Sequence, residues 1–202
     1  MKLERCSPAE GSPHSIESEE LIYKGWSSLY AITARTADGR RMRREIEHHG
    51  PAVAVLAYDE VNRRAMLVSM PRVPVIQAGA PDLLEAAAGL IDEGESAEQA
   101  ARREAFEELG LQISDLHPVG RYWSIPSVST EWVGLYLAPY RAADRLHSGG
   151  GLAEEDEHLV VHEIDLGELI HAARSGLLND MKTALLAFAL RDLRPDLFEP
   201  AA

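Results

Sequence analysis

The chain has 202 residues, a formal net charge of −13, 46% hydrophobic and 26% charged residues, and one cysteine, Cys6. This suits one globular domain with a small extension, and so acidic a surface repels nucleic acid and anionic membranes, so neither is an expected partner. A lone cysteine excludes an internal disulfide and a cysteine zinc cluster; with no signal-like leader and no apolar run of spanning length, a cytoplasmic protein is expected.

Residues 1–19 are polar, include Pro8 and Pro13, and read as a flexible leader. Trp26–Thr36 is rich in aromatic and β-branched residues and predicts a strand. Ala37-Asp38-Gly39 predicts a tight turn, and Arg41–Glu47 a returning strand. Residues 20–48 thus form an N-terminal β-hairpin extension to a domain covering 49–195. The return arm carries Arg40, Arg41, Arg43 and Arg44, as either a solvated face or an anion-binding one. Ala52–Tyr58 and Ala65–Met70 predict a second strand pair, and Pro71 and Pro74 make Met70–Gln77 an irregular connection. Leu83–Ala88 is apolar and small, Gly89–Gly94 reads as a loop, and Ser96–Leu109 as a helix. Gly120–Trp123 and Trp132–Tyr140 read as strands separated by a loop at Pro126, and Ser148–His158 is Gly-rich, then acidic. Leu159–Ile164 reads as the last strand. Leu166–Ser175 and Met181–Leu193 read as helices divided by Gly176, the second capped near Asn179 or Asp180. The order predicts a sheet sandwiched by helices, an α/β or α+β fold.

The 96–109 helix carries the chemistry. Ser96 and Gln99 predict a capping box, and Gly110 a left-handed C-terminal residue. Ala97, Ala101, Ala105 and Leu109 share a face narrow enough to lie close against a sheet. Glu104, Glu107 and Glu108 stand at i, i+3 and i+4, where their carboxylates are neighbours and repel. A hard divalent cation would turn that repulsion into attraction, and Arg103 could hold one glutamate in place. Taken alone, the cluster reads better as a solvated charged face.

The flanking pattern decides between these. Residues 89–111 match all fixed positions of the Nudix box: Gly89, Glu95, Arg103, Glu104, Glu107, Glu108 and Gly110, with Ala105 and Leu111 at its apolar positions. The chain therefore resembles the Nudix hydrolases. Leu84-Glu85-Ala-Ala-Ala-Gly89, Pro126 and Ser129-Thr130-Glu131 resemble the ADP-ribose pyrophosphatases. Gly149–Glu157 and Gly176–Thr183 resemble the GDP-mannose pyrophosphatase branch. The resemblance implies an α/β/α sandwich with a mixed sheet, and hydrolysis of a nucleoside diphosphate sugar. It also implies Mg²⁺, with Mn²⁺ as a substitute, and a homodimer through the N-terminal hairpin.

Residue by residue, it implies metal binding by Glu104, Glu108, Glu157 and the Ala88 backbone carbonyl. Glu155 is implied as general base, Glu157 being the alternative, with Glu107 and Arg103 beside the chemistry. Substrate contacts are implied for Arg72, Glu85, Trp26, Pro126 and Glu131, and structural roles for Gly89, Glu95 and Gly110. On its own, 154–157 reads better as a solvated acidic loop, and the preceding Gly149-Gly150-Gly151 brings the two readings level. Trp26, Tyr30, Tyr122, Trp123 and Trp132 could each stack on a base or fill a core. Ser69-Met70-Pro71-Arg72 stands where relatives carry Arg-Gln-Phe-Arg, and Ser127-Val128 where they carry Gly-Gly. These departures leave the substrate open, with a nucleoside triphosphate, NADH, a coenzyme A ester or non-catalytic nucleotide-sugar sensing as alternatives.

Overall fold

The computed structural model describes residues 13–151 and 159–199. They fall into two compact units. One runs up to Gly50 and takes in Trp123–Glu131; the other is formed by Pro51–Tyr122 and the chain from Trp132 onward.

The first unit is an antiparallel meander of β1 (Ser15–Lys24), β2 (Ser28–Arg35) and β3 (Arg41–His48). The expected hairpin is β2–β3, paired from Ser28↔His48 to Arg35↔Arg41. Its turn places Gly39 at φ 82, a conformation that glycine adopts without cost. The expected leader over residues 1–19 differs from the structure, in which β1 begins at Ser15. All ten residues of β1 are exposed, so no apolar alternation marks it as a strand. Glu17 of β1 instead pairs with Arg35 and Arg41. Within the same unit, segment 123–131 is fastened to β3: Glu47 N–H donates to the Val128 carbonyl and Thr130 N–H to the Glu47 carbonyl.

The second unit contains β4 (Ala52–Asp59), β5 (Arg64–Ser69), α1 (Val73–Gln77), β6 (Ala87–Leu90), α2 (Ala97–Leu109), β7 (His117–Trp123, its last residue counted with the first unit), β8 (Trp132–Pro139), β9 (Val160–Asp165), α3 (Leu166–Ser175) and α4 (Met181–Leu193). The sheet order is β7-β8-β4-β5-β9, with β6 pairing on β4. β4–β8 is parallel, whereas β4–β5, β4–β6 and β5–β9 are antiparallel. β4 is buried along its whole length because helices cover both faces of the sheet. Ala54 and Leu56 pack with Leu166, Leu186 and Leu190 of α3 and α4. Val53, Val55 and Ala57 pack with Ala101, Ala105 and Leu109 of α2. Each such leucine contributes about 1.5–3 kcal/mol by leaving water. The result is the expected α/β/α sandwich on a mixed sheet.

Two local expectations are corrected. Val73–Gln77 is a short helix, because Pro74 falls in its first turn, where no N–H is needed. Gly89 and Leu90 belong to strand β6, so the loop before α2 starts later than expected. Among the described residues, no helix is long and apolar enough to cross a membrane.

Candidate active site

α2 starts and stops as its sequence dictates. Ser96 Oγ accepts from Gln99 N–H at 3.2 Å, and Gln99 Oε1 accepts from Ser96 N–H at 2.9 Å. Gly110 ends the helix at φ 73. Of the three clustered glutamates, Glu104 and Glu108 turn inward, with only 7% and 3% exposure, and Glu107 sits at the rim. Glu108 Oε2 accepts from Ala88 N–H at 3.1 Å. A Cβ built on Gly89 would stand 1.9 Å from Glu104 Oε1, so a side chain at residue 89 would force the Glu104 carboxylate to move.

Arg103 organises these acids. Its Nη1 donates to Glu104 Oε1 at 2.6 Å and to Glu107 Oε2 at 3.1 Å. Its Nε and Nη2 straddle the Glu95 carboxylate at 3.1 Å each, and Nη2 also donates to the Leu90 carbonyl at 2.8 Å. Hydrogen bonding to Glu95, ahead of the charge of Glu104, holds the guanidinium still more firmly protonated than usual, against the effect of burial. The same bond to Arg103 holds the Glu95 carboxyl below its ordinary range. Buried charges persist only when paired or bound to metal. Here one guanidinium is shared among several carboxylates, which leaves net negative charge at the buried end of the helix.

A second buried carboxylate, Glu85, lies two residues before β6 begins and is 3% exposed. Arg72 grips it in bidentate fashion, Nε to Oε1 at 2.8 Å and Nη2 to Oε2 at 3.1 Å. Lys182 Nζ donates to Glu85 Oε2 at 2.5 Å and to Asp180 Oδ1 at 3.0 Å. Asp180 caps α4 by accepting from Thr183 N–H, and Thr183 Oγ1 accepts from Ala86 N–H at 2.7 Å. Burial pushes the Glu85 carboxyl up, but Arg72 and Lys182 together outweigh it and hold it below its ordinary value.

The Gly-rich segment 149–151 hangs on the end of α2. Gly150 N–H donates to the Glu108 carbonyl at 2.9 Å and Gly151 N–H to the Glu107 carbonyl at 3.2 Å. The approach is so close that a Cβ on Gly110 would lie 2.1 Å from the His147 carbonyl oxygen, and one on Gly149 would lie 2.2 Å from that of Glu108.

Comparison with known proteins matches residues 48–182 to the NUDIX domain. The chain belongs to the NUDIX family. The GDP-mannose pyrophosphatase of Cronobacter sakazakii is 35% identical over 159 residues, 78% of this chain and 82% of that protein. The enzyme of the same name from Salmonella arizonae is 33% identical with the same coverage. That of Yersinia enterocolitica is 32% identical over 83% of this chain and 89% of its own. Among solved structures, one titled "Crystal structure of ADP compounds hydrolase" superposes with a TM-score of 0.67 over 91% of this chain and 95% of its own, at 21% identity. That likeness supports the fold.

Within the NUDIX frame, the structure brings Glu95, Arg103, Glu104, Glu107 and Glu108 together around Gly89 and Ala88. It also pairs Arg72 with Glu85. Glu155 and Glu157 lie outside the described residues. Pro126, Glu131 and Trp26 belong to the other compact unit, where Glu131 faces His49 and Pro126 lines a cavity of about 250 Å³. Of the aromatics, Trp26 is 80% exposed and stacks on His49. Arg121 covers one face of Trp132, 3.8 Å from the ring centroid, and Tyr30 lies beside His48. Tyr122 and Trp123 are exposed. Among the described residues, no three His, Cys, Asp or Glu side chains converge as a complete metal cage. The sequence offers Asp180 as a cap of the last helix, and the structure bears this out; it gives no sign of the bonds from Lys182 to Glu85 and Asp180, although Lys182 lies in the stretch from Gly176 to Thr183 that carried the branch resemblance.

Proposed function

We propose that this NUDIX protein hydrolyses the pyrophosphate of a nucleoside diphosphate sugar, of the GDP-mannose or ADP-ribose type, to a nucleoside monophosphate and a sugar phosphate. The observation that carries this reading is the buried Glu104–Glu108 pair against the Ala88–Gly89 backbone. Relatives named GDP-mannose pyrophosphatase, at up to 35% identity, support it.

The donor set suits a hard cation. Mg²⁺ takes one or two protein carboxylates and fills its shell with water and substrate phosphate, so an incomplete protein cage fits it better than a closed one. We assign Glu104, Glu108, Glu157 and the Ala88 carbonyl to hold Mg²⁺, or Mn²⁺ in its place. A bound ion supplies charge screening at the diphosphate and a more acidic water. Arg103 keeps Glu104 and Glu107 oriented, and Glu95 braces Arg103. Glu155 accepts the proton of the attacking water, with Glu157 as the alternative base. Arg72 and Glu85 meet the substrate, and so do Trp26, Pro126 and Glu131. Lys182 adds positive charge beside Glu85. The protein is further proposed to be a cytoplasmic homodimer. In support, β1 is an edge strand that exposes Ile16, Leu21, Ile22 and Tyr23.

The test is a side-by-side assay of GDP-mannose and ADP-ribose with Mg²⁺, with products identified by chromatography. Cleavage to monophosphate and sugar phosphate is expected, and no cleavage of either substrate overturns the reading. Glu108→Gln is expected to lose about a hundredfold or more in turnover while staying folded. Turnover at the parent rate in that variant removes Glu108 from the metal set.

A further inference from the structure

His49 follows β3 directly, and its side chain keeps only 13% exposure. Nδ1 lies 2.6 Å from Glu47 Oε1 on β3, and Nε2 lies 3.1 Å from Glu131 Oε1 in segment 123–131. Trp26, from the turn between β1 and β2, stacks on the ring with centroids 5.1 Å apart and planes 25° from parallel. The charged groups facing the ring are Glu47 from β3 and Glu131 from the segment; Trp26 brings no charge.

This geometry asks for a particular protonation state. A neutral imidazole has one N–H and one lone pair, so it can donate to only one of two flanking carboxylates and must aim its lone pair at the other. The imidazolium donates to both. Burial opposes a charge on the ring, but the bonds and charges of Glu47 and Glu131 outweigh it and hold the His49 titration above its ordinary value of 6.5. Glu47 is held below its ordinary range, with burial again outweighed, by His49 and Ser129.

The remaining ties between the segment and β3 are few. Glu47 N–H donates to the Val128 carbonyl at 2.8 Å, Thr130 N–H donates to the Glu47 carbonyl at 3.2 Å, and Ser129 Oγ donates to Glu47 Oε2 at 2.9 Å. All three end on Glu47, the residue that His49 holds.

We propose that His49 is a proton-operated latch: as the imidazolium it clamps segment 123–131 to β3 through Glu131 and Glu47, and on losing its proton it releases the segment. Release opens the apolar cavity that Ile46 of β3 lines together with Trp123, Pro126 and Val128 of the segment. Because the folded-state value is raised, the latch is fully closed below about pH 6.5 and is lost as pH rises through the folded value.

The test uses the full chain and needs no substrate, so it stands apart from the hydrolase reading. Imidazole-ring NMR locates the His49 titration, assigned by its loss in His49→Gln. Hydrogen exchange then follows the amides of Glu47 and Thr130, corrected for the intrinsic effect of pH, with β4 amides as the internal reference for folding. Exchange of the two amides is expected to speed up about tenfold across the His49 midpoint, the worth of one charge-assisted bond. His49→Arg, a cation that does not titrate here, should stay slow throughout. His49→Gln should be fast throughout, and Glu131→Gln should lower the ring's midpoint. Should His49→Gln not fold, the parent titration and Glu131→Gln decide. Unchanged protection across the midpoint, or no movement of the midpoint in Glu131→Gln, overturns the latch.

Discussion

Arg103→Ala tests the acidic cluster most directly. The guanidinium makes five hydrogen bonds: two to Glu95, and one each to the Leu90 carbonyl, Glu104 and Glu107. Each charge-assisted bond is worth about 1.5–3 kcal/mol, but bonds from one group do not add, and this side chain is 28% exposed. The dominant cost comes from what remains. The Glu104 side chain is 9% exposed, and removing the cation from such a buried pair costs about 3–5 kcal/mol. At roughly 2–4 °C per kcal/mol for a domain of this size, Tm should fall by about 10 °C. Urea and thermal melts in EDTA measure this, repeated from about pH 7 down to pH 5. Acid weakens the repulsion among the carboxylates that Arg103 bridges, so the gap between variant and parent should narrow as pH falls. Added Mg²⁺ should narrow it at neutral pH. A loss under about 1 kcal/mol that is the same at both pH values would mean that Arg103 lies among the acids without holding them.

Two more tests address geometry and charge separately. Gly110→Ala should cost more than Gly39→Ala by about 1 kcal/mol or more in urea melts. Both have positive φ, at 73 and 82, but only at Gly110 would the new Cβ meet a backbone oxygen; equal losses would refute the close approach. For Glu85, the folded-state value is depressed, so its stabilising effect is present above the unfolded value near 4.5 and lost as pH falls through the folded one. Glu85→Gln should therefore flatten the acid limb of the stability curve below about pH 4.5, and an unchanged limb counts against the ion pair.

The parts of the molecule set by local spacing were legible in the sequence, and those set by distant meetings were not. The capping box at Ser96, the left-handed Gly110 and the Glu104–Glu108 face are fixed within one helix, so residue type and interval reveal them. β4 was readable because both its faces are apolar. β1 was not, since an edge strand with every residue exposed carries no period. The Glu85 cluster joins residues 13 and 97 positions apart, and no interval announces that Arg72 and Lys182 share one carboxylate. The same holds for His49 and Glu131, 82 positions apart.

Glu107 and Glu108 each serve two masters through different atoms. Their acid groups gather charge at the buried end of α2, while their main-chain oxygens moor the incoming Gly150–Gly151 strap. Amide analogues at either position therefore alter the electrostatics and leave the moorings tied, because every amino acid brings the same carbonyl. Chemistry and architecture at this corner can be taken apart one at a time: substitutions at the glutamates reach the first, and substitutions at the glycines reach the second.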